Sequence, residues 1–248
     1  MTRDINDYTI KGDANVLDAL AKLNTNPTYT LFVIDEHGRM VGSLTDGDIR
    51  RGLLQGFPLD SFIINFCHKQ FRFLDTKQPS PSYIKELKDL GIHLIPVLSE
   101  DHKIIDVINL QDIRNILPID AVFMAGGRGE RLRPLTDSMP KPLLPLGKKP
   151  IIAYNMERIR EYGISNLYIS IRYLGAMIKE RFKDGSEFDL NISYIEEDSP
   201  LGTLGSVSLV PHFNNDTVLV MNSDLFTNID LEEFYFHFKE SGSDMAVA

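Results

Sequence analysis

Up to about residue 118, amphipathic stretches and short apolar runs alternate, and the alternation occurs twice. In "NVLDALAKLN", Val16, Leu17, Leu20 and Leu23 recur at helical spacing, and the apolar run "TLFVID" follows. "SPSYIKELKDLG" predicts a second helix, with Ser82 as its N-cap and Gly91 as its C′ stop, and "IHLIPVL" follows it. The continuation also repeats. "GRMVGSLTDGDIRRGL" (38–53) and "HKIIDVINLQDIRNIL" (102–117) share Asp-Ile-Arg at 48–50 and 112–114, an offset of 64 residues. The pattern predicts a duplicated helix-strand-strand-helix unit, with copies at about 1–60 and 61–118. The copies are expected to pair and bury faces that neither can bury alone. Leu117-Pro118 should end the last helix, because the residue before proline is pushed out of helical geometry.

From Ile119 the rhythm changes. "DAVFMA" is a continuous apolar run suited to a parallel strand covered on both faces. "PIIAYNMERIREYG" reads as a helix with Pro150 at its first position, an inner face of Ile151, Ile152, Asn155/Met156, Ile159 and Tyr162, and Gly163 at its end. Strand "NLYISI", helix "LGAMIKERF", strand "NISYIE", a short helix near "TLGSVSLV", strand "TVLVMNSD" and helix "DLEEFYFHFKE" follow. This alternation predicts a mainly parallel α/β sheet with right-handed crossovers over residues 119–248. Ligands in such folds gather beyond the carboxyl ends of the strands. Gly126-Gly127, Glu196-Glu197 and Asp224 all fall at those ends.

Composition narrows the function. The 248 residues are 43% hydrophobic and 25% charged with net charge −9, which argues against a general nucleic-acid binder. No apolar run approaches the ~20 residues of a membrane span, and the N-terminus has no signal-peptide core. A cytoplasmic protein is expected. The single cysteine, Cys67, excludes an intrachain disulfide, and the six histidines show no zinc-ligand spacing.

Against that acidic background, Ala121–Pro150 collects six basic and two acidic residues, a local charge of +4, together with four glycines. It contains neither the dinucleotide fingerprint G-x-G-x-x-G nor the P-loop G-x-x-x-x-G-K-[ST]. "AGGRGERLRPLT" suits a phosphate nonetheless. Glycines allow close backbone approach and positive φ, which points successive N–H groups at an anion. Arginines give forked bonds to phosphate oxygens, and Lys141 adds a mobile point charge. Prolines 134, 140, 142 and 145 stiffen the loop around a ligand.

"AGGRGERLRPLT…PKPLLPLGKKPII", with "PLGTLGSV" and "VMNSD", resembles the sugar-phosphate nucleotidyltransferases (nucleoside-diphosphate-sugar pyrophosphorylases) from Ile119 onward. The resemblance implies that Gly126, Gly127 and Gly129 cradle the nucleotide. It also implies that Arg131 stabilises the triphosphate and Lys141 neutralises the reacting phosphate. Glu197 and Gly202 match positions that read base and sugar, and Asp224 matches the carboxylate that binds Mg²⁺. Two plainer readings stand beside these: Asp224 as an ordinary turn or N-cap aspartate, and Glu197 as an exposed strand-end acid. The implied reaction joins an NTP and a sugar 1-phosphate into an NDP-sugar with release of pyrophosphate. "PLGTLGS" looks most like guanylyltransferases using GTP and mannose 1-phosphate or a similar sugar. "SGSDMAVA" reads as the start of a further strand. The family continues from there to residues that hold the sugar phosphate, so the resemblance implies an N-terminal part that binds nucleotide and turns over poorly.

The repeat in the first half resembles the tandem CBS domain pair. In that family the Thr and second Asp of "T-D-x-D-[IL]-R" contact the ribose of an adenine nucleotide, here Thr45 and Asp48. The second copy keeps Asp112 and has Asn109 and Leu110 where the first has Thr45 and Asp46. Two roles stay open, regulatory binding of AMP or ATP and a purely structural or dimerising pair. Both families often self-associate, which implies a homo-oligomer. The competing reading for the whole chain is a non-catalytic adenine-nucleotide sensor.

Overall fold

A computed structural model describes residues 4–26, 28–75, 79–199 and 202–248, and the chain divides into two compact units, Met1–Asp112 and Ile113–Ala248. The division falls six residues before the Pro118 boundary read from the sequence.

The first unit carries the repeat. Strand β1 (Thr9–Lys11) pairs parallel with β2 (Thr30–Ile34), which pairs antiparallel with β3 (Met40–Thr45). Helix α1 (Val16–Thr25) lies between β1 and β2 in sequence, and α2 (Asp46–Leu54) follows β3. In the second copy, α3 (Pro81–Asp89) precedes the antiparallel pair β4 (Leu94–Leu98) and β5 (Ile104–Asn109). A single parallel bridge from Leu74 to Val97 takes the place of β1. Both hairpins break register at equivalent positions, Val33/Ile34 and Val97/Leu98, so the 64-residue offset holds down to the bulge. Leu31 and Val33 turn into the core of the first copy, whereas Phe32 and Met40 pack with Leu94, Leu98 and Val107 of the second. The shared cluster is the paired burial the repeat pattern required.

Several local expectations need correction. In α1 the buried stripe is Val16, Ala19 and Leu23, while Leu17 points to solvent at 58% exposure, one position off the i, i+3, i+7 row. The N-cap of α3 is Ser80, which accepts from the Tyr83 amide, because Pro81 occupies the first turn where a missing N–H costs nothing. Gly91 stops it with φ +72°. The second copy has no counterpart of α2. Residues 112–117 are irregular, because their backbone donors are satisfied outside any helix. Asn109 Oδ1 accepts from the Gln111 amide at 2.9 Å in a local turn. The amides of Arg114 and Asn115 donate to the Glu161 carbonyl, and that of Leu117 to the Tyr162 carbonyl.

The second unit is built on an all-parallel sheet in the order β10-β9-β6-β11, with β6 Ile119–Met124, β9 Asn166–Ile171, β10 Asn191–Glu196 and β11 Thr217–Asn222. A two-residue hairpin, β7 (Pro145–Leu146) with β8 (Lys149–Pro150), leads into α4 (Ile151–Glu161). Helix α5 (Gly175–Phe182) connects β9 to β10, and α6 (Gly202–Gly205) with a 3-10 turn precedes β11. Helix α7 (Leu231–Ser241) follows, capped by Asp230. Pro150 is the residue before α4 and not its first, a shift of one position. Residues 245–248 form no strand. The main core joins Ile152, Met156, Ile159 and Tyr162 of the α4 region to Phe123, Leu167 and Ile169 of the sheet. Among the described residues no helix is long and apolar enough to cross a membrane.

The run "DAVFMA" conceals one polar anchor. Asp120 is fully buried, and its carboxyl oxygens accept from Asn166 Nδ2 (3.0 Å), the Asn214 and Asn215 amides (2.5 and 3.2 Å) and Asn215 Nδ2 (2.8 Å). These bonds tie the loop before β11 to the amino end of the sheet. Replacing Asp120 by Ala leaves several part-buried donors without their acceptor, so denaturant unfolding should show a loss of about 1–3 kcal/mol. An unchanged midpoint would contradict the anchoring role.

Candidate active site

The carboxyl edge of the sheet is nearly level. Met124 of β6 stands opposite Ser170 of β9 and Asn222 of β11, and Ile171 opposite Glu196 of β10. The ladders run one residue beyond the strands. The Ala125 amide donates to the Ser170 carbonyl (2.9 Å), the Glu197 amide to Ile171 (3.1 Å) and the Ser223 amide to Met124 (3.1 Å). Gly126, Glu197 and Asp224 are therefore at or next to the points where the chain leaves the sheet.

The loop after β6 is a positioned structure. Gly129 has φ +61°, and a Cβ there would stand 2.9 Å from Thr136 Cγ2 and 3.2 Å from Lys141 Cβ. A side chain is excluded twice, by backbone conformation and by space. Buried Thr136 donates from Oγ1 to the Gly129 carbonyl at 2.9 Å, and Tyr173 OH donates to the Thr136 and Asp137 carbonyls at 3.1 and 3.2 Å. The Arg128 guanidinium lies 5.8 Å from the Tyr173 ring centroid. Of the three loop glycines only Gly129 needs positive φ, which corrects the expectation for the Gly126-Gly127 pair. Gly127 serves differently: a Cβ there would meet nothing within 4 Å, leaving its backbone open to a ligand.

Asp224 follows β11 and is held from two sides. Buried Ser223 donates from both its amide and Oγ to the Met124 carbonyl, the latter at 2.8 Å. Asn155, buried in α4, donates from Nδ2 to the Ser223 carbonyl at 3.0 Å. Lys141, in the 3-10 turn Lys141–Leu143, makes an ion pair with the Asp224 carboxylate. Glu197 Oε1 accepts from Ser170 Oγ. Gly202 opens α6 with φ +77°.

All eight residues expected at the catalytic half line one cleft of about 720 Å³: Gly126, Gly127, Gly129, Arg131, Lys141, Glu197, Gly202 and Asp224. Its size suits a nucleotide. The cleft also takes in Arg128 and Arg172, so Arg128, Arg131, Lys141 and Arg172 face Glu130, Glu197 and Asp224. The walls are therefore balanced toward positive in a chain of net charge −9. Among the described residues no group of three or more His, Cys, Asp or Glu could cage a metal by itself. A lone carboxylate fits a Mg²⁺ ion that takes its other ligands from phosphates and water. Burial pushes the Cys67 thiol up, which disfavours its thiolate.

The sequence reading missed Arg172, Ser170, Thr136 and Tyr173, placed Asn155 only on the inner face of α4, and had Ser223 only within the "VMNSD" run. Asn155 left one signal, an amide inside an apolar helical stripe. Pro200 and Leu201, which open the "PLGTLGSV" run, lie outside the described residues. In the first unit, Thr45 and Asp48 form a capping box at the start of α2. The Thr45 amide and Oγ1 donate to Asp48 Oδ2 at 2.8 and 2.6 Å, and Arg51 donates to Oδ1 at 2.5 Å. Asp112 occupies the irregular stretch after β5, its amide donating to the Asn109 carbonyl at 3.1 Å. None of these three lines the cleft.

Comparison with known proteins gives matches to both halves of the chain. The family model described as nucleotidyl transferase matches residues 120–248, and that of the CBS domain matches residues 1–55. A mannose-1-phosphate guanylyltransferase of Mycobacterium tuberculosis is 37% identical over 130 residues, 52% of this chain and 36% of that protein. An N-acetylmuramate alpha-1-phosphate uridylyltransferase of Neisseria meningitidis is 40% identical over 114 residues, 44% of this chain and 48% of that protein. The chain thus spans less than half the length of these relatives. The CBS domains of a transcriptional regulator from Streptococcus pneumoniae superpose with TM-score 0.38 at 14% identity, over 45% of this chain and 90% of that one.

The two loop glycines should respond differently to alanine. Gly129→Ala forces a left-handed residue against Thr136 and should cost about 1–2 kcal/mol in unfolding free energy. Gly127→Ala should stay within about 0.5 kcal/mol of the parent. Equal stability losses would contradict a steric role confined to Gly129.

Proposed function

The chain belongs to the nucleotidyl transferase family, and from that premise we propose that its second unit transfers a nucleoside monophosphate from an NTP to a sugar 1-phosphate. The observation that carries this reading is the convergence, in one cleft, of a basic glycine loop, a lysine and an acidic residue from stretches 98 residues apart. A phosphate oxygen of the sugar 1-phosphate attacks the α-phosphorus, the α–β bridging bond breaks, and pyrophosphate leaves. No covalent enzyme intermediate is needed, so the chain's task is in-line positioning and charge compensation.

In this reading the amides of Gly126, Gly127 and Gly129 receive the triphosphate, and the guanidinium of Arg131 forks onto its oxygens. Lys141 faces the reacting phosphate. Its ion pair with Asp224 keeps the ammonium at the cleft wall until phosphate oxygens compete for it. Mg²⁺, when bound, offsets phosphate charge, and Asp224 is the residue of this chain that would hold it. Glu197 and Gly202 belong to base and sugar recognition. A carboxylate at the Glu197 position suits guanine, whose N1–H and N2–H both donate, better than uracil with its single N3–H. That supports GTP, with mannose 1-phosphate or a similar sugar, as does the guanylyltransferase among the relatives; the uridylyltransferase at similar identity marks UTP as the competitor.

The CBS pair is read as a regulatory module for AMP or ATP, with Thr45, Asp48 and Asp112 as its candidate contacts, and self-association of the chain is part of the same reading. Asp48 already caps α2, so Asp48→Ala should weaken both that helix and adenylate binding.

A pyrophosphate-release assay over a panel of NTPs and sugar 1-phosphates tests the reading. GTP with mannose 1-phosphate should give the highest kcat/KM, and Arg131→Ala should lower it on the order of 10²–10³-fold. Undiminished activity in Arg131→Ala would overturn the phosphate role. Adenylate binding abolished by Asp48→Ala, with no Mg²⁺-dependent NTP binding by the second unit, would favour a non-catalytic sensor instead.

A further inference from the structure

We propose that Asn155, assisted by Arg158, is a positioning residue that fixes the Asp224 carboxylate in the cleft. This rests on the reading of Asp224 as the metal-holding residue. Helix α4 presents Ile152, Met156 and Ile159 to the core with no exposure, and Asn155 interrupts that stripe at 3% exposure. An amide so deeply placed costs stability unless it is bonded, so its presence among aliphatic neighbours marks a specific partner.

That partner is the Ser223 carbonyl, 3.0 Å from Asn155 Nδ2. Ser223 is pinned on its other side, donating twice to the Met124 carbonyl at the end of β6. The residue immediately before Asp224 is thus held between strand and helix. The turn is closed by the Leu225 amide, which donates to the Asn222 carbonyl at 3.2 Å. Beyond it, Arg158, three residues after Asn155 and so on the same side of α4, donates from its two terminal nitrogens to the Thr227 and Ile229 carbonyls. Both flanks of Asp224 therefore hang from one helix, which fixes the backbone from which its carboxylate projects.

Rigidity of this kind matters most where a single carboxylate must meet a cation whose other ligands arrive with the substrate. Small, octahedral Mg²⁺ tolerates little misplacement, and removing a supporting hydrogen bond around a ligand typically costs 10–100-fold in metal affinity or activity. The amide of Asn155 touches neither substrate nor metal; it acts through Ser223.

The test uses the full chain with Mn²⁺ as a paramagnetic stand-in and GTP as the nucleotide, following protein-held Mn²⁺ by the enhancement of water-proton relaxation over that of Mn²⁺–GTP alone. Asn155→Leu keeps the volume and removes the donor, and Asn155→Ser is the smaller companion variant. Both should raise the Mn²⁺ dissociation constant about 10–100-fold at saturating GTP, while melting in metal-free buffer stays within a few degrees of the parent. Asp224→Asn serves as the control. If it weakens Mn²⁺ binding and both Asn155 variants stay within two-fold of the parent, the positioning role is overturned. Failure of both variants to fold would also overturn it, assigning Asn155 to stability alone. If Asp224→Asn leaves Mn²⁺ binding unchanged, the metal reading itself falls, and this inference falls with it.

Discussion

The in-step parallel pairing of β6 with β11 is the constraint on which the rest of the second unit depends. Ile119 pairs with Thr217 and Met124 with Asn222, with no bulge between them, so the two strands end at the same level. Adjacent parallel strands that end together deliver their following loops to the same place. Here one loop is basic and rich in glycine, and the other carries a carboxylate. The strand order β10-β9-β6-β11 reverses direction between β6 and β11, the switch point at which open α/β sheets leave a crevice. Both ends of the pairing are anchored: Asp120 holds the loop before β11, and Ser223 clamps onto the Met124 carbonyl after it.

Charge is distributed to match. The chain carries 35 acidic and 26 basic residues, yet four cations and three carboxylates face the cleft. An acidic exterior with a locally positive crevice favours small anions over polyanions such as nucleic acid, whose phosphates need an extended basic surface. The Lys141–Asp224 ion pair holds the lysine ammonium at the cleft wall.

Much of this was legible in the sequence because the relevant signals are local. Apolar runs marked β6, β9 and β11, helical stripes marked α4, and punctuation by Gly126-Gly127 and Asp224 marked where the strands end. The repeat was equally plain, since one offset relates both hairpins and even their bulges. The missed features depend on tertiary partners. The stretch 112–117 copies the sequence of α2 but lacks its fold, because its amides find acceptors at the end of α4, which no local pattern reveals. Leu17 fits a helical row in sequence and falls outside it in space. Asn155, Ser223, Thr136 and Tyr173 act through bonds spanning 7 to 99 residues, so their roles appear only once the chain is folded. Gly129 was recognised as part of the motif, but its distinction from Gly126 and Gly127 rests on φ and on Thr136.

The account stands on the turn after β6 being an anion receptacle. Amide chemical shifts followed by NMR, as magnesium-complexed GTP is added to the chain, address that claim most directly. The account predicts large, saturable shifts at Gly126, Gly127 and Gly129, together with Ser223 and Asp224 across the β6–β11 boundary. Signals from these residues that stay fixed through the titration, while any nucleotide-induced shifts fall elsewhere, would contradict it.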